Sequence, residues 1–529
     1  MSRSRLLARG VLGAVGAALL VPFLLGSRLQ DVAARGPGGL ALFEQVRGLV
    51  ADRYVDARSD SALFEAAARG LVAQLDDPYA ELVTPQQVQA FDVGAYGRYG
   101  GLGMLLEDHA GRFVVRRVYP GTPAAGAGVR EGDAVVAVDS ASVAGWPLAR
   151  VTKALKGPAG TSVRATFERP GVAEPIAFTL VRAVVHTPAV PYALMLDDRV
   201  GYVPLEQFSE ASAGEARAAV TRLLAEGARA LVLDLRGNGG GVVGQALATS
   251  ALFLPEGSMV ARVVSRVGAP ETLTTRSAPV SGTTPLVVLL DGNSASATEI
   301  VAGALQDHDR ALVVGQTSFG KGLVQSVFPL DGGYLLKLTT GRWFTPSGRS
   351  IHKPRKLVDG RLVDDTTTLA TSARPVYHSD AGRVVYGGGA ITPDLAVRGD
   401  TLAAVDRRVL AALAPQSQPT YLWLYDLAAG ERGRLAPDFR VPAAWRETLW
   451  RRLDSAGVRL PHATYDSAAA TLDRLLGDQV ARLAFGDSTA RRRSLPYDPA
   501  LQRALELLHA ARSQGEVFAR AETGGRQDG

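Results

Sequence analysis

The sequence predicts a multidomain α/β protein, and three patterns carry that expectation. Apolar strands alternate with helices between about Val185 and Val397, short strands with Gly and Pro turns precede them from Tyr99, and helical periodicity flanks both. At roughly 150 residues per domain, a chain of 529 residues holds three to four domains with cores of their own. A hydrophobic share of 47% against 21% charged excludes disorder over most of the chain, and 58 glycines without a three-residue period exclude collagen. Basic and acidic side chains number 58 and 52, and no Lys/Arg block with interleaved aromatics occurs, so nucleic acid is not an expected partner. Cysteine is absent, which removes disulfides, thiol catalysis and cysteine-ligated metals together. Any nucleophile must be oxygen or nitrogen.

Arg3, Arg5 and Arg9 precede Gly10 to Gly26, a 17-residue uncharged run that reads as a secretory h-region or a short membrane anchor. No small-x-small cleavage site follows closely, which favours an uncleaved anchor over 1–36, holding the chain on the periplasmic side of the inner membrane. Residues 37–95 carry apolar side chains at helical spacing (Leu42, Phe43, Val46, Val50, then Leu63, Phe64, Ala67, Leu71), broken at Asp76-Asp77-Pro78. Residues 96–184 switch to the strands FVVRRVY, AVVAVDS and SVRATFER, separated by Gly/Pro turns. In 185–400, GYVPL, ALVLDLRG, PLVVLLDG and ALVVGQ alternate with helices over 214–226, 243–252 and 298–305, the rhythm of parallel βαβ units. Residues 401–529 are rich in Ala, Arg and Leu, contain Trp423, Trp445 and Trp450, are helical by periodicity, and show no catalytic-looking cluster.

Three glycine- or serine-bearing stretches carry chemistry. In Tyr99-Gly100-Gly101-Leu102-Gly103-Met104, small residues let successive N–H groups line a nest for a carboxylate, ahead of a strand whose edge can accept an extended peptide. Asp234-Leu-Arg-Gly-Asn-Gly-Gly-Gly241 closes an apolar strand and leads into a helix, where open α/β sheets place their sites. It lacks both phosphate-loop spacings, which disfavours a nucleotide-binding α/β protein, while its amides suit an oxyanion hole. After the strand over 285–290, Ser294 or Ser296 stands at a strand-to-helix turn that exposes a hydroxyl. The seven histidines are scattered, only His308 falling near this region, so the base is sought in Lys321, in Thr317-Ser-Phe-Gly-Lys-Gly322. A lysine acts as base when desolvation keeps it neutral, and strand alternation would put Gln325 on its face.

The segment NSASATEIVAGALQDHDRALVVGQTSFGKGLVQSVFPL resembles the active-site block of the carboxyl-terminal processing (tail-specific) proteases, S41-type serine peptidases. LDLRGNGGG, KLTTGRWFTPSGRSIH and YGGGAITPD resemble further family blocks, and GTPAAGAGVREGD with the strand after it resembles a PDZ domain; the likeness spans about Leu40 to Val397. It implies a crotonase/ClpP-like α/β protease core with an inserted-style PDZ module, an N-terminal helical unit and a C-terminal helical extension. It also implies Ser296 as nucleophile, 25 residues before the base Lys321, with Gln325 positioning the lysine. Ala297 with Gly240 or Gly241 would form the oxyanion hole, and Gly101, Leu102, Gly103 and Met104 the PDZ carboxylate loop. Gly239 stands where the family often has proline, and Thr298 where it often has serine. The implied partner is a protein with an apolar C-terminal tail; no metal or cofactor is called for, and 401–529 is left for a homo-oligomer contact or an adaptor. A non-catalytic PDZ scaffold of the cell envelope is the competing expectation.

Overall fold

The computed structural model describes residues 37–88, 97–109, 111–358, 361–364, 374–399, 402–431 and 433–525. The expected anchor at 10–26 lies outside them, and among the described residues no helix is long and apolar enough to cross a membrane. The chain divides into two units, residues 1–82 and 83–529.

In the first unit, α1 (Pro37–Arg53) and α2 (Asp60–Ala73) follow the apolar spacing of the sequence. Ser59 caps α2 by accepting the Ala62 N–H at 3.3 Å, and Arg47 on α1 reaches Asp60 at 2.9 Å. Leu40 and Leu71 remain 72% exposed, so these helices do not bury their own apolar stripe.

The second unit begins with a β module. Its elements are β1 (Arg98–Gly101), β2 (Met104–His109), β3 (Arg112–Val118), α3 (Pro123–Ala127), β4 (Ala134–Val138), α4 (Leu148–Leu155), β5 (Ser162–Glu168), β6 (Ile176–Val181) and β7 (Ala183–His186). The antiparallel sheet runs β2-β3-β4-β5-β6, and β1 pairs with β7 to tie the module's two ends together. Alternation in β5 turns Val163, Ala165 and Phe167 into a core shared with Phe113, Val115, Val151 and Leu180. Strand β2 is an edge of this sheet, and α4 packs beside it.

The α/β region follows. It comprises β8 (Leu194–Leu196), β9 (Val200–Pro204), α5 (Ser212–Ala225), β10 (Ala230–Asp234), α6 (Val243–Ser250), β11 (Met259–Ser265), β12 (Glu271–Thr274), β13 (Leu286–Leu290), α7 (Ala297–Asp307), β14 (Leu312–Gly315), β15 (Leu323–Pro329), β16 (Leu335–Phe344) and β17 (Leu395–Ala396). The main sheet has the order β8-β9-β10-β13-β14-β17, parallel throughout except for the β8–β9 pair. Strands β9, β10, β13 and β14 are buried at every position, the signature of a parallel sheet covered on both faces. Strand β16 pairs with β15 and with β11, which also pairs with β12, in a second sheet.

Beyond residue 401 lie α8 (Ala404–Leu413), α9 (Ser417–Glu431), α10 (Ala443–Ser455), α11 (His462–Asp466), α12 (Ala469–Phe485), α13 (Asp487–Ser494), α14 (Pro499–Ala510) and α15 (Gln514–Gly525). Trp445, Leu449, Leu472, Leu476 and Val480 give α10 and α12 a core of their own. The last two helices do something else. Leu501, Ala504, Leu508 and Val517 pack against Val232, Val287 and Leu289, while Leu231, Leu233 and Val288 face α5, α6 and α7 on the opposite side. Successive strand residues point to opposite faces, so α14 and α15 supply the second layer that the parallel sheet requires.

Candidate active site

Ser296 sits between β13 and α7 with φ 57° and ψ −115°, a conformation that L-residues rarely adopt. The turn throws its half-buried side chain out at the N-terminus of α7. Ser294, the other serine the sequence offers, is fully buried: its hydroxyl donates to the Leu235 carbonyl at 2.9 Å and accepts the Asp291 N–H at 3.0 Å. It ties the turn to the glycine loop.

Glu299, on the first turn of α7, is 0% exposed, and one carboxylate gathers four donors. Oε2 accepts the backbone N–H groups of Ser296 and Lys321, each at 2.8 Å. Oε1 accepts the Gly320 N–H at 2.6 Å and the Ser318 hydroxyl at 2.5 Å. Burial pushes this carboxyl above its ordinary range, and the hydrogen bonds from Ser318, Lys321, Ser296 and Gly320 oppose the shift. Sequence reasoning missed Glu299, although the spacing Ser296-x-x-Glu299 is that of a capping box.

Lys321 is half-buried in the loop ahead of β15, and its Nζ donates to Gln325 Oε1 at 2.9 Å. The expected alternation is not how the two meet. Strand β15 begins only at Leu323, and its pairing with β16 is irregular between Val324 and Gln325. The Lys321 carbonyl accepts the Trp343 Nε1–H at 3.1 Å, and Trp343 is 1% exposed. His352 also comes close: a Cβ on Gly322 would stand 2.8 Å from the His352 backbone nitrogen. No local signal in the sequence announces that neighbour. His308 follows the far end of α7 and pairs with Asp380 and the Met259 carbonyl, both at 2.7 Å.

The glycine loop lies against the serine turn. A Cβ on Gly240, whose φ is +97°, would stand 2.6 Å from the Ala295 carbonyl oxygen, 2.9 Å from Ser296 Cβ and 3.0 Å from the Ala297 nitrogen. Only glycine fits there. Buried Asn238 organises the loop: its Oδ1 accepts the Gly240 N–H at 2.9 Å and its Nδ2 donates to the Leu205 carbonyl at 2.8 Å. Its own carbonyl accepts the Ala295 N–H at 3.0 Å and the Thr298 hydroxyl at 2.9 Å. A serine at 298 would carry the same hydroxyl. The Gly240 amide is thus already engaged, whereas those of Gly241 and Ala297 have no hydrogen bond among the described residues.

In the β module, Leu102 is 3% exposed and Met104 opens the edge strand β2. The Leu102 carbonyl accepts the Ala124 N–H at 2.8 Å and the Gly103 carbonyl that of Tyr119 at 2.9 Å. The amides of Leu102 and Gly103 have no hydrogen bond among the described residues. Gly103 has φ +83°, and a Cβ there would stand 2.2 Å from Thr122 Cβ. Gly101 pairs with Ala183.

The strained serine turn, the glycine loop packed against it at the ends of parallel strands and the antiparallel β module earlier in the chain are those of a peptidase that carries a PDZ domain. The family model of peptidase family S41 matches residues 199–359, and that of a PDZ domain matches residues 114–169. A carboxy-terminal-processing protease of Bartonella bacilliformis is 35% identical over 314 residues, 59% of this chain and 71% of the relative. The carboxy-terminal processing protease CtpA of Bacillus subtilis is 32% identical over 343 residues, 64% of this chain and 73% of the relative. A carboxyl-terminal-processing protease of Synechocystis is 33% identical over 336 residues, 61% of this chain and 77% of its own length. The chain belongs to the carboxy-terminal processing proteases of peptidase family S41.

Proposed function

We propose that the chain is an exported serine endopeptidase that holds the apolar C-terminal tail of a protein substrate in its PDZ module and cuts the substrate with a Ser296–Lys321 dyad. The observation that carries this reading is the single Glu299 oxygen that accepts the backbone N–H of both residues, at 2.8 Å each, and so keys nucleophile and base to one point. Lys321 Nζ, oriented by Gln325, takes the Ser296 proton; Oγ bonds to the peptide carbonyl carbon, and the ammonium returns its proton to the leaving nitrogen as the C–N bond breaks. Water then attacks the ester carbonyl as Lys321 accepts its proton, the acyl C–Oγ bond breaks, and the ammonium returns the proton to Ser296 Oγ as the acid product leaves. The oxyanion is received by the Ala297 amide and by the glycine loop, where Gly241 offers an unclaimed N–H and Gly240 gives up Asn238 for the substrate oxygen. The tail carboxylate enters the nest of Gly101, Leu102, Gly103 and Met104 while its chain extends β2 between that edge and α4. Export rests on the uncharged run after Arg9, with the chain tethered to the inner membrane.

Ser296→Ala and Lys321→Ala are each expected to abolish cleavage of an unfolded, apolar-tailed protein while circular dichroism and thermal unfolding stay at wild-type values. Undiminished turnover in either variant contradicts the dyad, whereas absence of cleavage by the wild type favours the PDZ scaffold.

A further inference from the structure

The oxyanion loop begins directly after Arg236, and that arginine is held from two sides. At the end of its own strand, Asp234 accepts from Arg236 Nε at 2.9 Å and from a terminal guanidinium nitrogen at 2.6 Å. From the C-terminal extension, Asp498 accepts from both terminal nitrogens, at 2.9 and 2.8 Å. Arg491 on α13 adds a second cation to Asp498 at 2.8 Å, and the Tyr202 hydroxyl donates to Asp234 at 2.7 Å. The side chains of Asp234, Asp498 and Arg236 are 7, 10 and 22% exposed, so these forked pairs form with little water present.

Asp498 is itself fixed. It caps α14, accepting the Leu501 N–H at 3.1 Å, and α14 is packed flat on the sheet through Leu501 and Ala504, both 0% exposed. Burial disfavours its charge, yet the bonds and charges of Arg236 and Arg491 prevail and bring the carboxyl down to about 2. At its other end, the loop is tied where Phe208 and Gly241 bridge, and in between the Gly237 N–H donates to Asp291 at 3.0 Å. Arg236 is therefore the anchor from which the chain turns toward Ser296.

We propose that Asp498, supplied by the C-terminal extension, is a positioning residue for peptide cleavage: by clamping Arg236 it fixes the glycine loop against Ser296. This rests on the dyad and oxyanion-loop reading above. Misplacing preorganised donors by even a fraction of an ångström is felt in the rate and scarcely in ground-state binding.

The test uses the full chain and four variants: Ser296→Ala, Asp498→Asn, Arg236→Gln and the double Arg236→Gln/Asp498→Asn. Asparagine keeps the cap of α14 through Oδ1, removes the charge, and turns the oxygen that meets Arg236 and Arg491 into a donor facing donors. For an unfolded apolar-tailed peptide, Asp498→Asn is expected to lower kcat about tenfold or more, with KM within about twofold. That deficit stays constant over roughly pH 6 to 9, because the wild-type carboxyl does not titrate there. The double variant is expected to be no slower than the slower single. Wild-type kcat in Asp498→Asn, a deficit that merely follows the unfolded fraction in the same samples, or multiplicative effects in the double variant would each overturn the proposal. If Ser296→Ala still cleaves, the dyad reading falls and the inference with it; if Ser296→Ala is dead and Asp498→Asn is fully active, the inference alone falls.

Discussion

Two glycine-rich loops lie in the second unit, 100–104 in the PDZ module and 237–241 beside Ser296, and they are held in opposite ways. In the PDZ loop the carbonyls of Leu102 and Gly103 are fixed by Ala124 and Tyr119 within the same module. In the loop beside Ser296, Asn238 bonds through its side chain to Gly240 and Leu205 and through its backbone carbonyl to Ala295 and Thr298, so three segments of the chain meet on one residue. Similar composition therefore yields a self-contained nest in one place and a joint between elements in the other. The nest should govern how tightly a tail is held, and the joint how fast a bond is cut.

Substitutions can break that division, the largest effect coming at Gly240. A methyl there meets Ser296 Cβ at 2.9 Å and the Ala295 carbonyl at 2.6 Å, so Gly240→Ala should cost about 100-fold or more in kcat, read from initial cleavage rates. Glu299→Gln comes next. Glutamine keeps the shape but turns one acceptor into a donor facing two donors, so a loss of roughly 3 kcal/mol in stability and at least about tenfold in kcat is expected in paired unfolding and rate measurements. Gly103→Ala, which meets Thr122 at 2.2 Å, should weaken tail binding about tenfold and leave turnover of a peptide lacking the tail unchanged. A matching fall in that turnover would show that the two loops are not separable. Thr298→Ser keeps the hydroxyl on Asn238 and should change kcat by less than about twofold.

What could be read in the sequence follows from range. Strand ends and the serine turn are local patterns, and β10 and α7 lie where those patterns put them, whereas the Ser-to-Lys spacing is read from the family resemblance. Glu299 was legible as a capping-box partner, but not that its carboxylate would also reach Gly320 and Lys321, which arrive from the other side of β14. Gln325 was found through strand alternation, although the contact forms from a loop and across an irregular pairing. The Asp498-Pro499 helix start is likewise readable, yet its ion pair with Arg236, 262 residues away, has no sequence signature. For that reason 401–529 looked free of chemistry. The need of a parallel sheet for cover on both faces is the physical clue that the extension returns to the core.

The central claim is that Ser296 becomes nucleophilic through Lys321. It is tested most directly by incubating the full chain and its Lys321→Ala variant with a serine-acylating probe, then locating the adduct by peptide mass mapping. The account predicts a single adduct on Ser296 in the wild type and none in the variant. Equal labelling of Ser296 without Lys321, or an adduct on a different serine, would contradict it.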